Sequence, residues 1–233
     1  MITKLDKFDD NKYDEIIEHY KSEDNRNKLT YFRNQVKQFF EDEPTLKKEK
    51  VIHSIKDRLK DPDHLREKLI RKYKEEVISK DTLFDKVHDL NGIRILHLHY
   101  GQFSTIHDAI MNKVHQEQDW KFVEQPKAYT WDPEIKEFFS NKGLEINFKE
   151  SFYTSVHYVV TPNNTVNNVK CEIQVRTLFE EIWGEIDHEI NYPNKTNIIA
   201  CREQLKVLAR LVSTGSRLVD SIYKSNSADE DIN

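Results

Sequence analysis

Two stretches in the second half of the chain alternate polar and apolar residues, and this pattern restricts the possible folds most strongly. Residues 169–176 (VKCEIQVR) and 153–160 (YTSVHYVV) both carry apolar residues at every second position. Because successive side chains of a strand point to opposite faces of a sheet, each stretch is predicted to be a strand with one buried face. The sequence Thr161-Pro162-Asn163-Asn164 is a turn signal, so strands 153–160 and 166–176 are predicted to form a hairpin.

Most of the remaining chain has the apolar spacing of helices. Apolar residues recur every three or four positions in five segments: 29–40, 51–59, the stretch after Asp61-Pro62, 177–192 and 196–224. Ser104 is predicted to cap a further helix, and residues 93–100 (IRILHLHY) are predicted to form another strand. Helices and strands that alternate around a hairpin predict an α/β (α+β) fold with a mixed β-sheet flanked by helices.

Composition and local pattern together predict how the chain is organised. We expect an N-terminal helical region, an α/β domain, a C-terminal helix that packs on the domain or on another subunit, and a disordered acidic tail, over residues 1–50, 51–193, 194–224 and 225–233. No run of 18 apolar residues occurs, which excludes a membrane span, and the acidic N-terminus resembles no signal or transit peptide. With only two cysteines, Cys171 and Cys201, we expect a cytoplasmic protein.

Basic residues are concentrated in one part of an acidic protein. The whole chain has a net charge of −5, yet residues 46–74 contain eleven Lys and Arg against five Asp and Glu, a local net charge of +6. Such a segment favours an anionic ligand, for example nucleotide phosphates or an RNA end. A solvated helix face with ion pairs at i,i+4 spacing has the same composition, so charge alone leaves both interpretations open.

The polar face of the predicted hairpin has the mixed chemistry of a ligand site. It gathers an aromatic ring, a histidine, a carboxylate and a cation on neighbouring strands: Tyr153, Ser155, His157, Glu172, Gln174 and Arg176. A solvated antiparallel face is the alternative interpretation. Asp89 precedes the strand that carries Arg94, so Asp89 and Glu172 are candidates to share one Mg²⁺. For Arg94 we expect a phosphate or a stacked base as partner.

Other site types lack their signatures. No Gly-rich phosphate loop and no Gly-x-Ser-x-Gly turn occur, which argues against P-loop, Rossmann and serine-hydrolase sites. His97 and His99 share a strand face, but no third ligand has convincing spacing for zinc.

The chain resembles the synthetase domain of the RelA/SpoT family of pyrophosphotransferases. The motifs that carry the resemblance are, in order, Arg58-Leu59-Lys60-Asp61-Pro62 with Lys68, Asp89-Leu90-Asn91-Gly92-Ile93-Arg94, Tyr153-Thr154-Ser155-Val156-His157, Glu172-Ile173-Gln174-Val175-Arg176-Thr177, and Trp183-Gly184-Glu185-Ile186-Asp187-His188 with Tyr192. The resemblance implies a nucleotidyltransferase-like mixed sheet. It also implies transfer of the β,γ-pyrophosphate of ATP to the ribose 3′-hydroxyl of GDP or GTP, which yields (p)ppGpp and AMP.

The resemblance also assigns roles to single residues. Donor ATP would contact four cations: Arg58, Lys60, Lys68 and Arg94. Asp89 and Glu172 would hold Mg²⁺, and Glu172 would accept the 3′-hydroxyl proton. The acceptor nucleotide would stack on Tyr153 and contact four further residues: Ser155, His157, Gln174 and Arg176.

The chain departs from the family pattern beside the acceptor tyrosine. Typical members read Gly-Tyr-(Arg/Lys/Gln)-Ser-x-His, whereas this chain has Phe152 before Tyr153 and Thr154 after it. Since no hydrolase or regulatory domain flanks the matching segment, we expect a single-domain small alarmone synthetase, and we expect it to form a homo-oligomer. The alternatives are a toxin, paired with an antitoxin, that modifies the 3′ end of tRNA or makes (p)ppApp, and an inactive nucleotide- or RNA-binding module. In the tRNA case Lys28, Arg33, Lys47 and Lys48 would guide the RNA.

Overall fold

The computed structural model describes residues 10–72, 78–163, 169–192 and 195–230. Its helices are α1 (Asp10–Lys21), α2 (Glu23–Asp42), α3 (Pro44–Lys48), α4 (Pro62–Lys72), α5 (Leu83–Lys86), α6 (Tyr100–His115), α7 (Pro133–Ser140), α8 (Leu178–Asn191) and α9 (Ile199–Glu230). Its strands are β1 (Ser54–Leu59), β2 (Asn91–His97), β3 (Trp120–Phe122), β4 (Lys127–Thr130), β5 (Glu145–Phe148), β6 (Ser155–Pro162) and β7 (Cys171–Thr177). Among the described helices, none combines bilayer-spanning length with sufficient hydropathy.

Within the described residues the seven strands form one mixed sheet. The strand order is β1-β2-β7-β6-β4-β5, and β3 pairs with the distal half of β6. The central pair β2–β7 is parallel, whereas β1–β2 and β7–β6 are antiparallel. The predicted hairpin between β6 and β7 is confirmed, although residues 164–168 of its connection lie outside the described residues. The predicted mixed sheet flanked by helices is likewise confirmed.

The two faces of the sheet have the chemistry that the alternation predicts. On one face Tyr158, Ile173 and Val175 are almost fully buried against apolar side chains of α2, α6 and α7. On the other face the register places Gln174 between Arg94 of β2 and His157 of β6. The apolar face therefore forms the main core, and the opposite face is left to polar groups.

Helices at the edges of the polar face form two further apolar clusters. The first joins α1, α4 and α5, and it includes Leu65 and Leu69 of the helix predicted after Asp61-Pro62. Residues 73–77, at the C-terminal end of that prediction, lie outside the described residues. The second cluster joins α8 to α9 through Trp183, whose indole N–H donates to the carbonyl of Leu205 at 3.1 Å. These clusters hold α4 and α8 beside the polar face.

Residues 51–59 and the start of α6 differ from prediction. Residues 54–59 form strand β1, which pairs with β2, and not a helix. The pattern was ambiguous, because a spacing of four between Ile55 and Leu59 also places two residues on one face of a strand. Helix α6 begins at Tyr100 rather than near Ser104, since Gln102 Oε1 accepts the backbone N–H of Leu98 at 2.8 Å and closes the turn early.

The C-terminal helix is longer than predicted. Helix α9 continues to Glu230, so the prediction of a disordered tail from residue 225 is wrong up to that residue. Tyr223 stacks on His99 with ring centroids 4.2 Å apart, which fastens the late turns of α9 to the start of α6. Residues 231–233 lie outside the described residues.

Candidate active site

A cavity of about 250 Å³ opens on the polar face of the sheet. Its lining residues come from β1, β2, β7, α8 and the segment before β2: Lys56, Asp57, Arg58, Asp89, Gly92, Ile93, Arg94, Glu172, Gln174 and Glu185. The strand register explains this set, because Gly92 lies opposite Arg58 on one side and Glu172 on the other. Gly92 has no side chain, so the floor between the Arg58 cation and the Glu172 carboxylate stays open.

Asp89 is held at the cavity wall by two lysines. Lys60 Nζ lies 3.0 Å from Asp89 Oδ2, and Lys68 Nζ lies 2.7 Å from Asp89 Oδ1. Burial alone would raise the pKa of Asp89, but Lys68 and Lys60 outweigh it and lower the pKa to about 2. Asp89 is therefore a carboxylate at neutral pH. The two lysines come from the segment after β1 and from α4, so the basic segment does reach the site.

Arg58 and Arg94 both line the cavity, but their partners differ. Among the described residues Arg58 has no ion-pair partner, although it lies close to several acids. Arg94 is bound through Nη1 to Glu181 at 2.8 Å and to Glu185 at 2.7 Å. Arg58 is thus a cation available to an anionic ligand, whereas a ligand of Arg94 must compete with two carboxylates.

Glu181 joins three cations beneath the cavity. Besides Arg94, it binds Lys56 at 2.6 Å and Arg176 at 2.5 Å. Burial would raise its pKa, but Arg176, Lys56 and Arg94 together lower the pKa to about 2. At Gly184, one turn along α8, an added Cβ would lie 2.8 Å from Arg176 Nη1, so a larger residue there would require the Arg176 guanidinium to shift.

Glu172 lies at one end of a hydrogen-bonded row that continues through His157 to Tyr153. His157 Nδ1 lies 3.1 Å from Glu172 Oε1, and the hydroxyl of Tyr153 lies 3.0 Å from His157 Nε2. Gln174 Nε2 donates to Glu172 Oε2 at 2.8 Å. Burial alone would lower the pKa of His157, but Tyr153 and Glu172 outweigh it and raise the pKa to about 9. His157 is therefore a cation at neutral pH, and its hydrogen bond lowers the pKa of Glu172 against the effect of burial.

Aromatic rings continue from this row away from the cavity. Tyr129 packs edge-on against His157 with centroids 4.7 Å apart, and Lys149 Nζ lies 4.7 Å from the centroid of the Tyr129 ring. The guanidinium of Arg176 lies 5.8 Å from the centroid of the Tyr153 ring. The row and these rings form a half-buried surface with the polarity expected for a nucleotide base.

The predicted site residues are brought together in part. Five of them line the cavity directly: Arg58, Asp89, Arg94, Glu172 and Gln174. Four others reach it through Asp89 or Glu172: Lys60, Lys68, Tyr153 and His157. Ser155 and Arg176 are buried away from the cavity; Ser155 Oγ donates to the carbonyl of Val175, and Arg176 is bound to Glu181.

Sequence reasoning missed five charged or aromatic residues of this region. Lys56, Asp57 and Glu185 line the cavity, Glu181 links its cations, and Tyr129 extends its aromatic surface. Strand alternation would have indicated Lys56, which shares a strand face with Arg58, if this segment had been predicted to be a strand. Glu181 had none, because acidic residues in the first turn are common at any helix N-terminus, whereas Glu185 stood in the Trp183–His188 motif without an assigned role.

The donor set of the cavity fits a magnesium ion. No group of three or more His, Cys, Asp or Glu side chains gathers as a metal site among the described residues. Asp89 and Glu172 nevertheless line one cavity, and both have pKa values below their ordinary ones. Two anionic carboxylates suffice for Mg²⁺, which takes its other ligands from phosphates and water.

Comparison with known proteins yields relatives in both sequence and structure. GTP pyrophosphokinase YwaC of Bacillus subtilis is 29% identical over 145 residues, which are 60% of this chain and 59% of that protein. The chain thus spans less than two thirds of that relative. The crystal structure of small alarmone synthetase 1 from Bacillus subtilis bound to its product pppGpp is 22% identical and superimposes with a TM-score of 0.63, covering 86% of this chain and 93% of the other. The same enzyme bound to AMPCPP is 20% identical, with a TM-score of 0.61 and coverage of 87% and 94%.

The structural likeness agrees with the mixed sheet and its flanking helices. The family described as a region found in RelA and SpoT proteins matches residues 57–197, which contain the whole cavity lining except Lys56. This chain therefore belongs to the RelA/SpoT family.

Proposed function

We propose that the protein is a small alarmone synthetase, which transfers the β,γ-pyrophosphate of ATP to the ribose 3′-hydroxyl of GDP or GTP and releases AMP. One observation carries this proposal: the Glu172 carboxylate lies between a cavity with cations and the Tyr153–His157 row. A transferase of this kind needs cations for a triphosphate on one side of the reacting groups and a base-binding surface on the other. Related proteins that are named for GTP or pppGpp support this choice of substrate.

On the donor side, Arg58 supplies a cation that forms no ion pair with any of the described residues. The triphosphate of ATP would bind Arg58 first and would then draw Arg94 away from Glu185, whose side chain is 58% exposed. Lys60 and Lys68 lie within 3.0 Å of Asp89 and add positive charge on the donor side of the site. This arrangement aligns the phosphates by position and charge, which are the main contributions a protein makes to phosphoryl transfer.

On the acceptor side, Glu172 is the group placed to accept the 3′-hydroxyl proton. Its low pKa keeps it deprotonated at neutral pH, and hydrogen bonds from His157 and Gln174 hold its two oxygens in place. Tyr153 would stack on the acceptor base. Gln174 lines the cavity beside the reacting groups, whereas Ser155 and Arg176 support the acceptor side from beneath.

Mg²⁺ is the cofactor that this donor set would hold, through Asp89 and Glu172. When bound, it would neutralise charge on the donor phosphates. The lysines on Asp89 leave the carboxylate anionic, which is the form that binds a metal.

Guanine nucleotides are favoured over tRNA as acceptor because of the surface charges. Of the four cations that would guide an acceptor stem, Lys28, Arg33 and Lys47 are each paired with an acid (Asp24, Asp57 and Asp42), whereas Lys48 has no ion-pair partner among the described residues. Cations that are neutralised in this way add little to RNA affinity. The alternatives of tRNA modification, (p)ppApp synthesis, an antitoxin partner and an inactive binding module have no specific support in the site.

Self-association through α9 is part of the same proposal. The outward stripe of this helix carries four large apolar side chains that are 53–64% exposed: Val207, Leu211, Leu218 and Ile222. Their spacing of four and seven residues places them on one side of the helix, where a second copy of α9 would cover them. A cytoplasmic location is consistent with two free cysteines, Cys171 and Cys201.

Two conservative substitutions test the proposed chemistry. Glu172→Gln and Asp89→Asn keep the shape of each side chain but remove its charge. With ATP labelled at the γ-phosphate, GDP and Mg²⁺, each variant should lose transfer by at least about 100-fold. Glu203→Gln, an exposed position on α9, is the matched control and should keep full activity. Substantial transfer by the Glu172 variant would contradict the assignment of the base.

A further inference from the structure

The acceptor tyrosine, Tyr153, is flanked by two residues with unusual settings. Phe152 has a φ of 65°, in the left-handed region that residues other than glycine rarely adopt. Thr154 is buried, although it occupies a position next to a substrate surface. A backbone conformation of this kind persists only where the surrounding structure holds it, so Phe152 needs a strong anchor.

The anchor of Phe152 is an apolar pocket that reaches α9. Its ring lies 4.9 Å from the ring of Trp131, measured between centroids. Trp183 of α8 and Ala209 and Val212 of α9 line the same small cavity as Phe152. Trp183 is fixed to α9 by its hydrogen bond to the carbonyl of Leu205. Phe152 therefore connects the segment around Tyr153, just before β6, to the inner face of α9.

A second, polar connection starts from Thr154. Its hydroxyl lies 3.3 Å from the hydroxyl of Thr130, and Thr130 Oγ1 also accepts the backbone N–H of Asp132 at 3.2 Å. The hydroxyl of Ser213 on α9 donates to Asp132 Oδ2. Thr130, Thr154, Asp132 and Ser213 are all buried, so solvent does not compete for these bonds. Both neighbours of Tyr153 are thus tied to the same helix.

We propose that Phe152 and Thr154 are positioning residues that fix Tyr153 relative to α9, so that the seating of α9 sets the affinity for a guanine nucleotide acceptor. This inference rests on the proposed function of the site. We expect substitutions at these contacts to leave donor binding unchanged, because none of the four anchoring groups on α8 and α9 (Trp183, Ala209, Val212 and Ser213) lines the donor cavity. The position of the Tyr153 ring then depends on α9, whose other face is available to a second subunit.

Phe152→Gly is the informative substitution, since glycine adopts the observed φ without strain but lacks the ring. Its KM for GDP should rise about tenfold, the factor that corresponds to a loss of about 1.4 kcal/mol, with the KM for ATP unchanged. Phe152→Leu retains an apolar anchor and should recover most of the lost affinity. Val212→Ala acts from the α9 side and should also raise the KM for GDP alone. Phe122→Leu, a half-buried phenylalanine on β3, controls for general loss of packing.

The positioning role and the proposed function can be refuted separately. If Phe152→Gly and Val212→Ala keep the wild-type KM for GDP, or raise the KM values for ATP and GDP equally, the positioning role is wrong while the proposed function stands. If the wild-type protein transfers no pyrophosphate to GDP or GTP, the proposed function fails and this inference fails with it. Equilibrium binding of GDP by calorimetry, measured on the same variants, should show the same order of affinities.

Discussion

Replacing Glu172 by glutamine should change the protonation of a second residue, His157. In the wild-type protein the pKa of His157 rises from its ordinary value of 6.5 to about 9, although burial opposes the rise. Glu172 is one of the two groups responsible, through a hydrogen bond of 3.1 Å to Nδ1. The substitution removes that charge, while Tyr153 keeps its contact with Nε2. The pKa of His157 should therefore fall.

The size of the effect follows from the pKa values. A rise from 6.5 to about 9 corresponds to about 3 kcal/mol of preference for the charged imidazole, at about 1.4 kcal/mol per pH unit. Because the folded-state pKa lies above the unfolded one, this stabilisation is fully present below about pH 6.5 and is lost as pH rises through about 9. If Glu172 supplies about half of it, the pKa of His157 in Glu172→Gln should fall by one to two pH units.

Titration of the imidazole C–H resonances by nuclear magnetic resonance measures this directly. The His157 resonance, assigned with His157→Gln, should titrate near pH 9 in the wild-type protein and clearly lower in Glu172→Gln. The free energy of unfolding should accordingly fall between pH 7 and 10 in the wild-type protein and less steeply in the variant. An unchanged His157 titration in Glu172→Gln would refute the coupling between the Glu172 carboxylate and His157.

Three further predictions concern the donor-side cation Arg58, the stability of the fold at acid pH, and the C-terminal helix. Arg58→Ala should weaken ATP binding about tenfold by calorimetry without lowering thermal stability, since Arg58 has no ion-pair partner among the described residues; Lys47→Ala, on an exposed ion pair, should change neither. The low pKa of Asp89 stabilises the fold above about pH 4 by about 2 kcal/mol. Acid titrations should show this stabilisation disappear as pH falls towards 2, and Asp89→Asn should lack that step. Leu211→Glu should reduce the molar mass of the protein measured by analytical ultracentrifugation. An unchanged mass would exclude the exposed apolar stripe of α9 as the subunit interface.

Local periodicity predicted the polar face because strand geometry alone decides it. Glu172 and Gln174 share a face whichever strand pairs with theirs, and His157 was placed beside them once the hairpin was inferred. The 51–59 segment was misassigned for the same kind of reason: a spacing of four is compatible with a helix and with one face of a strand. Only its pairing with β2, a long-range contact, settles the choice.

The partners of the cations were beyond the reach of sequence reasoning. Arg176 belongs to the polar face by period, but α8 crosses that face and places Glu181 against it, so the guanidinium is buried rather than exposed to a ligand. Lys60 and Lys68 were predicted to meet phosphates, and the structure shows both on Asp89. These contacts depend on how helices pack across the sheet, which no local pattern specifies.

The proposed reaction moves a pyrophosphate group intact from ATP to a guanine nucleotide. Incubation of the protein with ATP, GDP and Mg²⁺, followed by anion-exchange separation of the nucleotides, tests this transfer. We expect AMP and a guanosine tetraphosphate in equal amounts, with no ADP. Formation of ADP with a guanine nucleotide that carries one additional phosphate, or of AMP and free pyrophosphate with GDP unchanged, would contradict it.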